Sequence, residues 1–142
     1  MTVITRLAAL CAALLLWPGS AAATTIIAKV DFSQQSMTVY HHGKPLYTWP
    51  VSTARPGKWT PRGSWTAQWL SEHHRSSRYN NAPMPYSIFY SGHYAIHGTN
   101  QTSRLGRPAS AGCIRLHPEN AAVLFRMTQE AGLENMRVVV QN

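Results

Sequence analysis

The sequence predicts a mainly β domain, a β-sandwich or partial barrel, with one α-helix in its C-terminal half. Three observations predict it. Short runs rich in β-branched and aromatic residues recur along the chain. Turn pairs such as His42-Gly43 and Ser91-Gly92 separate them. Only the stretch from Pro118 to Ala131 places apolar residues at helical spacing.

The elements follow in order. Thr25 to Val30, with Ile26, Ile27 and Val30, reads as a strand. Asp31 to Ser36 is polar and turn-like, and Met37 to Tyr40 is a second strand. Leu46 to Ser52 is a third, so the chain starts as a β-meander. Arg55-Pro56-Gly57-Lys58 and Thr60-Pro61-Arg62-Gly63 read as loop. Ser64 to Leu70 alternates Trp65, Ala67 and Trp69 with Thr66 and Gln68, which predicts one strand. Ser71 to Pro85 is polar and irregular, and reads as a long loop of the kind that forms lids or binding edges. Tyr86 to Tyr90 and His93 to His97 are two further strands. Asn100 to Ala109 is loop, and a short strand or turn carries Cys113. Pro118 suits a first helical position, and Glu119 complements the first turn. Ala121, Leu124, Phe125, Thr128 and Ala131 make one apolar face, and Gly132 ends the helix. Met136 to Val140 closes the domain as a strand.

Ahead of these elements, Arg6 precedes an apolar run from Leu7 to Trp17. Pro18-Gly19 breaks that run, and Ser20 to Ala23 offers small residues for cleavage. This is the layout of a secretory signal, so residues 1–23 are expected to be the signal and 24–142 one domain. The run is shorter than the ~20 residues a transmembrane helix needs. A buried N-terminal helix is the competing reading, weakened because the run has no polar face. Cys11 follows Leu10, whereas a lipid-anchored cysteine would follow a small residue. No later run could span a membrane.

The chain carries 13 Lys plus Arg against 5 Asp plus Glu, a net charge of +8. The basic residues are scattered singly, with no run or helical stripe, which argues against a nucleic-acid partner. An anionic partner outside the cytoplasm fits better. His41-His42 and His73-His74 are adjacent pairs, which make poor metal clamps on a strand because neighbours point to opposite faces. Neither H-E-x-x-H nor C-x-x-C occurs. Trp49, Trp59, Trp65 and Trp69 read as core or groove lining, with glycan stacking as the alternative.

Export leaves Cys113 as the lone cysteine, without a disulfide partner in an oxidising compartment. A thiol becomes an effective nucleophile when a histidine takes its proton or forms an ion pair with it. His97, sixteen positions upstream, is the candidate. Gly112 would let a substrate carbonyl approach the backbone, with N–H groups from Gly112 to Cys113 as an oxyanion hole. Arg115 offers a fork of donors to a carboxylate. Each has a structural alternative: a buried small cysteine, a satisfied core histidine, a surface arginine, a β-bulge glycine. Spacing alone leaves these open.

The run A-I-H-G-T-N…S-R-L-G-R-P-A-S-A-G-C-I-R-L, from Ala95 to Leu116, resembles the catalytic motif of the L,D-transpeptidases, the YkuD-type domain. Val51-Ser52-Thr53 followed by Thr60-Pro61-Arg62-Gly63 is similar to that family's V-S-T-G…T-P-x-G segment. Tyr79 to Tyr90 is similar to its substrate-side stretch. The resemblance implies that family's fold and a peptidoglycan enzyme acting by acyl transfer in the periplasm or cell envelope. Cys113 would attack the carbonyl between the L-centre third residue of a tetrapeptide stem and its terminal D-alanine. His97 would be general base and acid, held by the Gly98 backbone carbonyl. Arg115, Ser110 and Tyr86 are implied to contact the stem. The acceptor would be an amine on another stem or on a wall-linked protein. Water would make the same thioester that of an L,D-carboxypeptidase or amidase, and a silent wall-binding domain is the non-enzyme alternative. The family needs no metal or organic cofactor. Two departures stand out: Ala111 replaces the histidine of S-H-G-C, and Ala54 replaces the glycine after S-T.

Overall fold

The computed structural model describes residues 25–142. The expected signal and Cys11 lie outside the described residues. Strands β1 (Ile26–Asp31), β2 (Ser36–His41) and β3 (Lys44–Pro50) form the antiparallel meander. Two more strands, β4 (Gly63–Thr66) and β9 (Met136–Gln141), complete a five-stranded sheet of order β3-β2-β1-β9-β4, with β1 and β9 parallel. The second sheet has order β5-β6-β7-β8 from β5 (Trp69–Arg75), β6 (Pro83–Ser91), β7 (Tyr94–Gly98) and β8 (Ile114–Leu116), with β7 and β8 parallel. One helix, α1 (Pro118–Ala131), separates β8 from β9 and packs on β6 and β7.

Both sheets and the helix share one core. Period-two alternation turns Ile26, Ala28 and Val30 inward from β1, and Met136, Val138 and Val140 from β9. Ile88, Tyr90, Ile96, Ile114 and Leu116 meet them from the second sheet, and Leu124 and Phe125 from α1. Burying a large aliphatic side chain is worth ~2 kcal/mol. The three inward residues of β9 therefore contribute an amount comparable to a small domain's whole net stability of about 5–15 kcal/mol. The last strand is structurally required.

The helix starts and stops as its sequence dictates. His117 caps it, its Nδ1 accepting from the Glu119 N–H at 3.2 Å, and Pro118 occupies the first turn. Gly132, at φ 91°, ends it by donating its N–H to the Thr128 carbonyl at 2.9 Å.

Two expectations are corrected. Ser64 to Leu70 is not one strand: β4 ends at Thr66, β5 begins at Trp69, and the two lie in different sheets. Ala67 and Gln68 make the crossing, donating their N–H groups to Met136 O in one sheet and Phe89 O in the other. Trp65 and Ala67 accordingly pack on the core, whereas Trp69 stacks on Phe89 outside it. The long loop from Ser71 to Pro85 shrinks to residues 76–82, because β5 runs on to Arg75 and β6 starts at Pro83. The polar part of β5, from Ser71 to Arg75, is that of a sheet edge, whereas Leu70 packs against the core.

Candidate active site

The site lies on the face of the second sheet turned away from the core. Ile96 on β7 and Ile114 and Leu116 on β8 point inward and are fully buried. Alternation therefore turns Ala95, His97, Cys113 and Arg115 to the opposite face. The parallel register pairs Ile96 with Ile114 and His97 with Arg115. One step earlier Cys113 falls level with Ala95, so His97 is its diagonal neighbour, one pleat along. Cys113 packs there beside Met84, Phe89 and Ala95. Cys113 and His97 open on the same cavity of about 640 Å³. The loop at residues 76–82 and the Trp69–Phe89 stack, with centroids 3.8 Å apart, form one side of it.

Histidine geometry fixes its protonation. Nδ1 of His97 lies 2.7 Å from the Gly98 carbonyl oxygen. A carbonyl only accepts, so Nδ1 carries the proton and Nε2 keeps its lone pair. His97 is only 6 % exposed, and this burial pushes its pKa down to about 4. The Gly98 hydrogen bond opposes that shift, and the charges of Arg115 and His74 add to it. Burial also pushes the Cys113 thiol up, against the Ala95 N–H and the Arg115 charge, which favour the thiolate. Each shift, taken singly, favours the neutral form, thiol and imidazole. A histidine in that state can act as a base toward a neighbouring thiol without first forming a standing ion pair.

The turn before Cys113 is braced from two directions. Ser110 Oγ donates to the Cys113 carbonyl at 2.6 Å and accepts the Gly112 N–H at 3.0 Å. Thr60 Oγ1 donates to the Gly112 carbonyl at 2.8 Å and accepts the Ala54 N–H at 2.9 Å. The extended segment from Val51 to Arg55 lines up alongside, pairing Ser52 with Arg115 and Ala54 with Ser110. That extended backbone accepts alanine at position 54. Gln35, buried beneath it, receives the Thr53 N–H at 2.9 Å on its own side-chain oxygen.

Several expected roles change. Ser110 lines the cavity, where the expected stem contact would be made, and its hydroxyl also braces the turn. The Gly112 N–H is held by Ser110, so it is not a free oxyanion donor. Glycine is required at 112 for two other reasons: its φ is 143°, and a Cβ there would sit 2.7 Å from Tyr94 Cε1 and 2.9 Å from Trp59 O. Gly98 leaves room for the helix, since its Cβ would meet Pro118 Cα and Pro85 Cγ at 3.1 Å. Tyr86 is not at the cavity. Its φ of 55° breaks the alternation of β6, and its ring packs edge-on against Phe125 at 5.6 Å. Tyr79 and Tyr94 line the cavity instead, as does Ala111 beside the thiol. Arg115 lines it too, with Nη1 donating to Gln101 Oε1 at 3.1 Å. Trp69, read from the sequence as core or groove lining, stands on the cavity wall, and sequence reasoning missed Arg55, His74 and Phe89 beside it. Their signal exists only in the fold, because three separate segments converge: the stretch ending at Arg55, β5 and β6. Among the described residues no group of three His, Cys, Asp or Glu side chains could hold a metal ion.

The family model of the L,D-transpeptidase catalytic domain, YkuD, matches residues 25–140. The YkuD protein of Bacillus licheniformis is 28% identical over 92 residues, 62% of this chain and 51% of that protein. That of Bacillus subtilis is 26% identical over 99 residues, 67% of this chain and 56% of that protein. The L,D-transpeptidase from Mycobacterium smegmatis superposes with a TM-score of 0.74 at 23% identity, covering 83% of this chain and 59% of that one. An L,D-transpeptidase in complex with imipenem gives 0.73 at 24% identity, covering 82% and 59%. The chain thus spans about half the length of the curated relatives it matches. With the family model covering both sheets and the helix, the chain belongs to the YkuD family of L,D-transpeptidase catalytic domains.

Proposed function

We propose that the protein is a peptidoglycan L,D-transpeptidase of the cell envelope, exported by residues 1–23, with Cys113 as nucleophile and His97 as base and acid. One observation carries the reading. The lone described thiol and a histidine held as its Nδ1–H tautomer open on one cavity that no carboxylate lines.

The chemistry follows from the resting protonation state. Nε2 of His97 takes the thiol proton as Cys113 Sγ bonds to the carbonyl carbon of the stem's third residue. The developing oxyanion is met by N–H groups at the cavity, with the Cys113 N–H the candidate once the Gly112 N–H is assigned to Ser110. The C–N bond to D-alanine then breaks, and the imidazolium returns its proton to the leaving amine. A thioester remains on Cys113. An acceptor amine attacks it, gives its surplus proton through His97 to the departing sulfur, and leaves as the new amide. The Gly98 carbonyl holds the ring during both transfers and stabilises the imidazolium by accepting from Nδ1–H. No metal or organic cofactor is required.

The test is incubation of the protein with tetrapeptide-bearing muropeptides, followed by mass spectrometry. Cross-linked dimers lacking one D-alanine are expected, and Cys113→Ala abolishes them. Tripeptides alone would assign hydrolysis in place of transfer. Unchanged substrate, with Cys113 also unmodified by a carbapenem, would overturn the enzyme reading.

A further inference from the structure

The cavity has an electrostatic imbalance that the nucleophile and its base do not use. Arg55 and Arg115 both line it. They stand on paired backbone: Ser52 bridges to Arg115, and the Arg55 N–H donates to the Ser110 carbonyl at 2.9 Å. Arg104 is tied to the same frame, its carbonyl accepting from Ser52 Oγ at 2.9 Å. Arg115 is half-buried, and burial together with the charges of Arg55 and Arg104 holds its pKa below the usual guanidinium range. Among the described residues none of the three arginines has a carboxylate partner; the ion pair found there is the exposed His73–Glu72 contact. No Asp or Glu lines the cavity. Arg115 reaches only neutral oxygens, Gln101 Oε1 at 3.1 Å and the Ala109 carbonyl at 3.5 Å, both through Nη1. Its Nη2 and Nε have no partner among the described residues. Like charges gathered around a half-buried guanidinium repel one another unless an anion joins them.

We propose that Arg55 and Arg115 form a two-guanidinium clamp for a carboxylate of the acyl donor, and that Arg55 is a specificity-determining residue of the site. The proposal rests on the acyl-transfer reading for its substrate, though not for its charge. Reach supports a carboxylate close to the reacting bond. Arg115 follows Cys113 by two residues on the same face, about 7 Å along the strand. A stem peptide offers two such groups: the terminal carboxylate of the leaving residue and the side-chain carboxylate of the third residue. A planar fork of donors suits either.

Two small probes test the charge without any peptide. Iodoacetate and iodoacetamide alkylate the same thiol and differ by one negative charge. The ratio of their rates at Cys113 should exceed the ratio for N-acetylcysteine by about five-fold or more at low ionic strength, and should fall in high salt. Arg55→Gln should lower the ratio by about five-fold through the iodoacetate rate, and Arg55→Lys should restore most of it. The Arg55 side chain makes no hydrogen bond among the described residues, and a thermal melt checks that the variants fold. With stem tetrapeptides, amidating the clamped carboxylate should raise KM in the wild type and have little effect in Arg55→Gln. Whichever amide responds identifies the carboxylate. An iodoacetate preference equal in wild type and Arg55→Gln, or no response to either amide, overturns the clamp. An Arg55-dependent iodoacetate preference without turnover of any stem overturns the acyl-transfer reading and leaves the carboxylate site standing.

Discussion

Acid should weaken this domain through His97, and the size of the effect follows from its burial. The side chain, on β7, is almost wholly buried at the cavity wall, and its pKa is pushed down to about 4, from an ordinary imidazole value near 6.5. At ~1.36 kcal/mol per pH unit the full shift corresponds to about 3 kcal/mol. Because the folded-state pKa is the lower one, the unfolded chain binds the proton first. No destabilisation arises above about pH 6.5; it grows as pH falls and saturates below about pH 4. At about pH 5 the linkage amounts to about 2 kcal/mol. The perturbation is His97→Gln, which keeps a neutral polar group and removes the titration. Urea unfolding of both proteins at about pH 7.5 and about pH 5 gives the assay. The wild type should lose about 2 kcal/mol more than the variant between the two conditions. The other six of the seven histidines are common to both proteins and cancel. Equal losses would refute the reasoning, because His97 would then titrate in the folded state as it does in water. That would in turn allow a standing thiolate–imidazolium pair.

Gly112→Ala should destabilise the domain by about 2 kcal/mol or more, and should impair activity too. A Cβ at 2.7 Å from Tyr94 and 2.9 Å from a backbone oxygen must displace the turn carrying Cys113, at a φ that alanine resists. Thermal unfolding with a thiol-labelling rate reads both effects, and an unchanged melt would show that the turn yields freely. Tyr90→Phe should stabilise by about 1 kcal/mol, because Tyr90 OH is buried with no hydrogen-bond partner among the described residues. A destabilised Phe variant in urea unfolding would mean that the hydroxyl has a partner, such as a buried water.

Much of the fold was legible because local and global signals agree. The strands β1, β2 and β9 alternate cleanly, and α1 carries its cap, its first-turn proline and its terminal glycine in the sequence itself. Legibility failed where the chain changes sheets. Trp65, Ala67 and Trp69 keep a period of two through Ala67 and Gln68, and nothing in the pattern marks the crossing. It failed again at β5, whose Ser-Glu-His-His-Arg reads as loop because an edge strand needs no apolar face. In the site, the sequence singled out Cys113, His97 and Arg115, and the strand register sets all three on one face. Tyr86 was misplaced because its positive φ redirects the side chain, a backbone property that residue type does not disclose. Arg55, His74 and Phe89 were invisible as wall residues because their importance lies in segments that meet only after folding.

On the proposed acyl-transfer reading, the same burial that quiets the site also shapes how it would react. Taken separately, each charged form is opposed: burial disfavours the Cys113 thiolate and the His97 imidazolium alike. A proton passed from sulfur to Nε2 creates both charges at once, side by side, and their mutual attraction in a poorly solvated cavity offsets part of that cost. Arg115 enters with opposite signs, favouring the thiolate and disfavouring the imidazolium. Its effects on the transferred pair therefore partly cancel, and neutralising Arg115 with a substrate carboxylate leaves the transfer energy little changed. The guanidinium can thus hold substrate without retuning the nucleophile. What remains to drive the transfer is the forming Sγ–C bond, which consumes the thiolate as it appears. On that reading the exchange of proton and the attack are one event, and a carbonyl placed by the arginines would turn the resting thiol into a nucleophile.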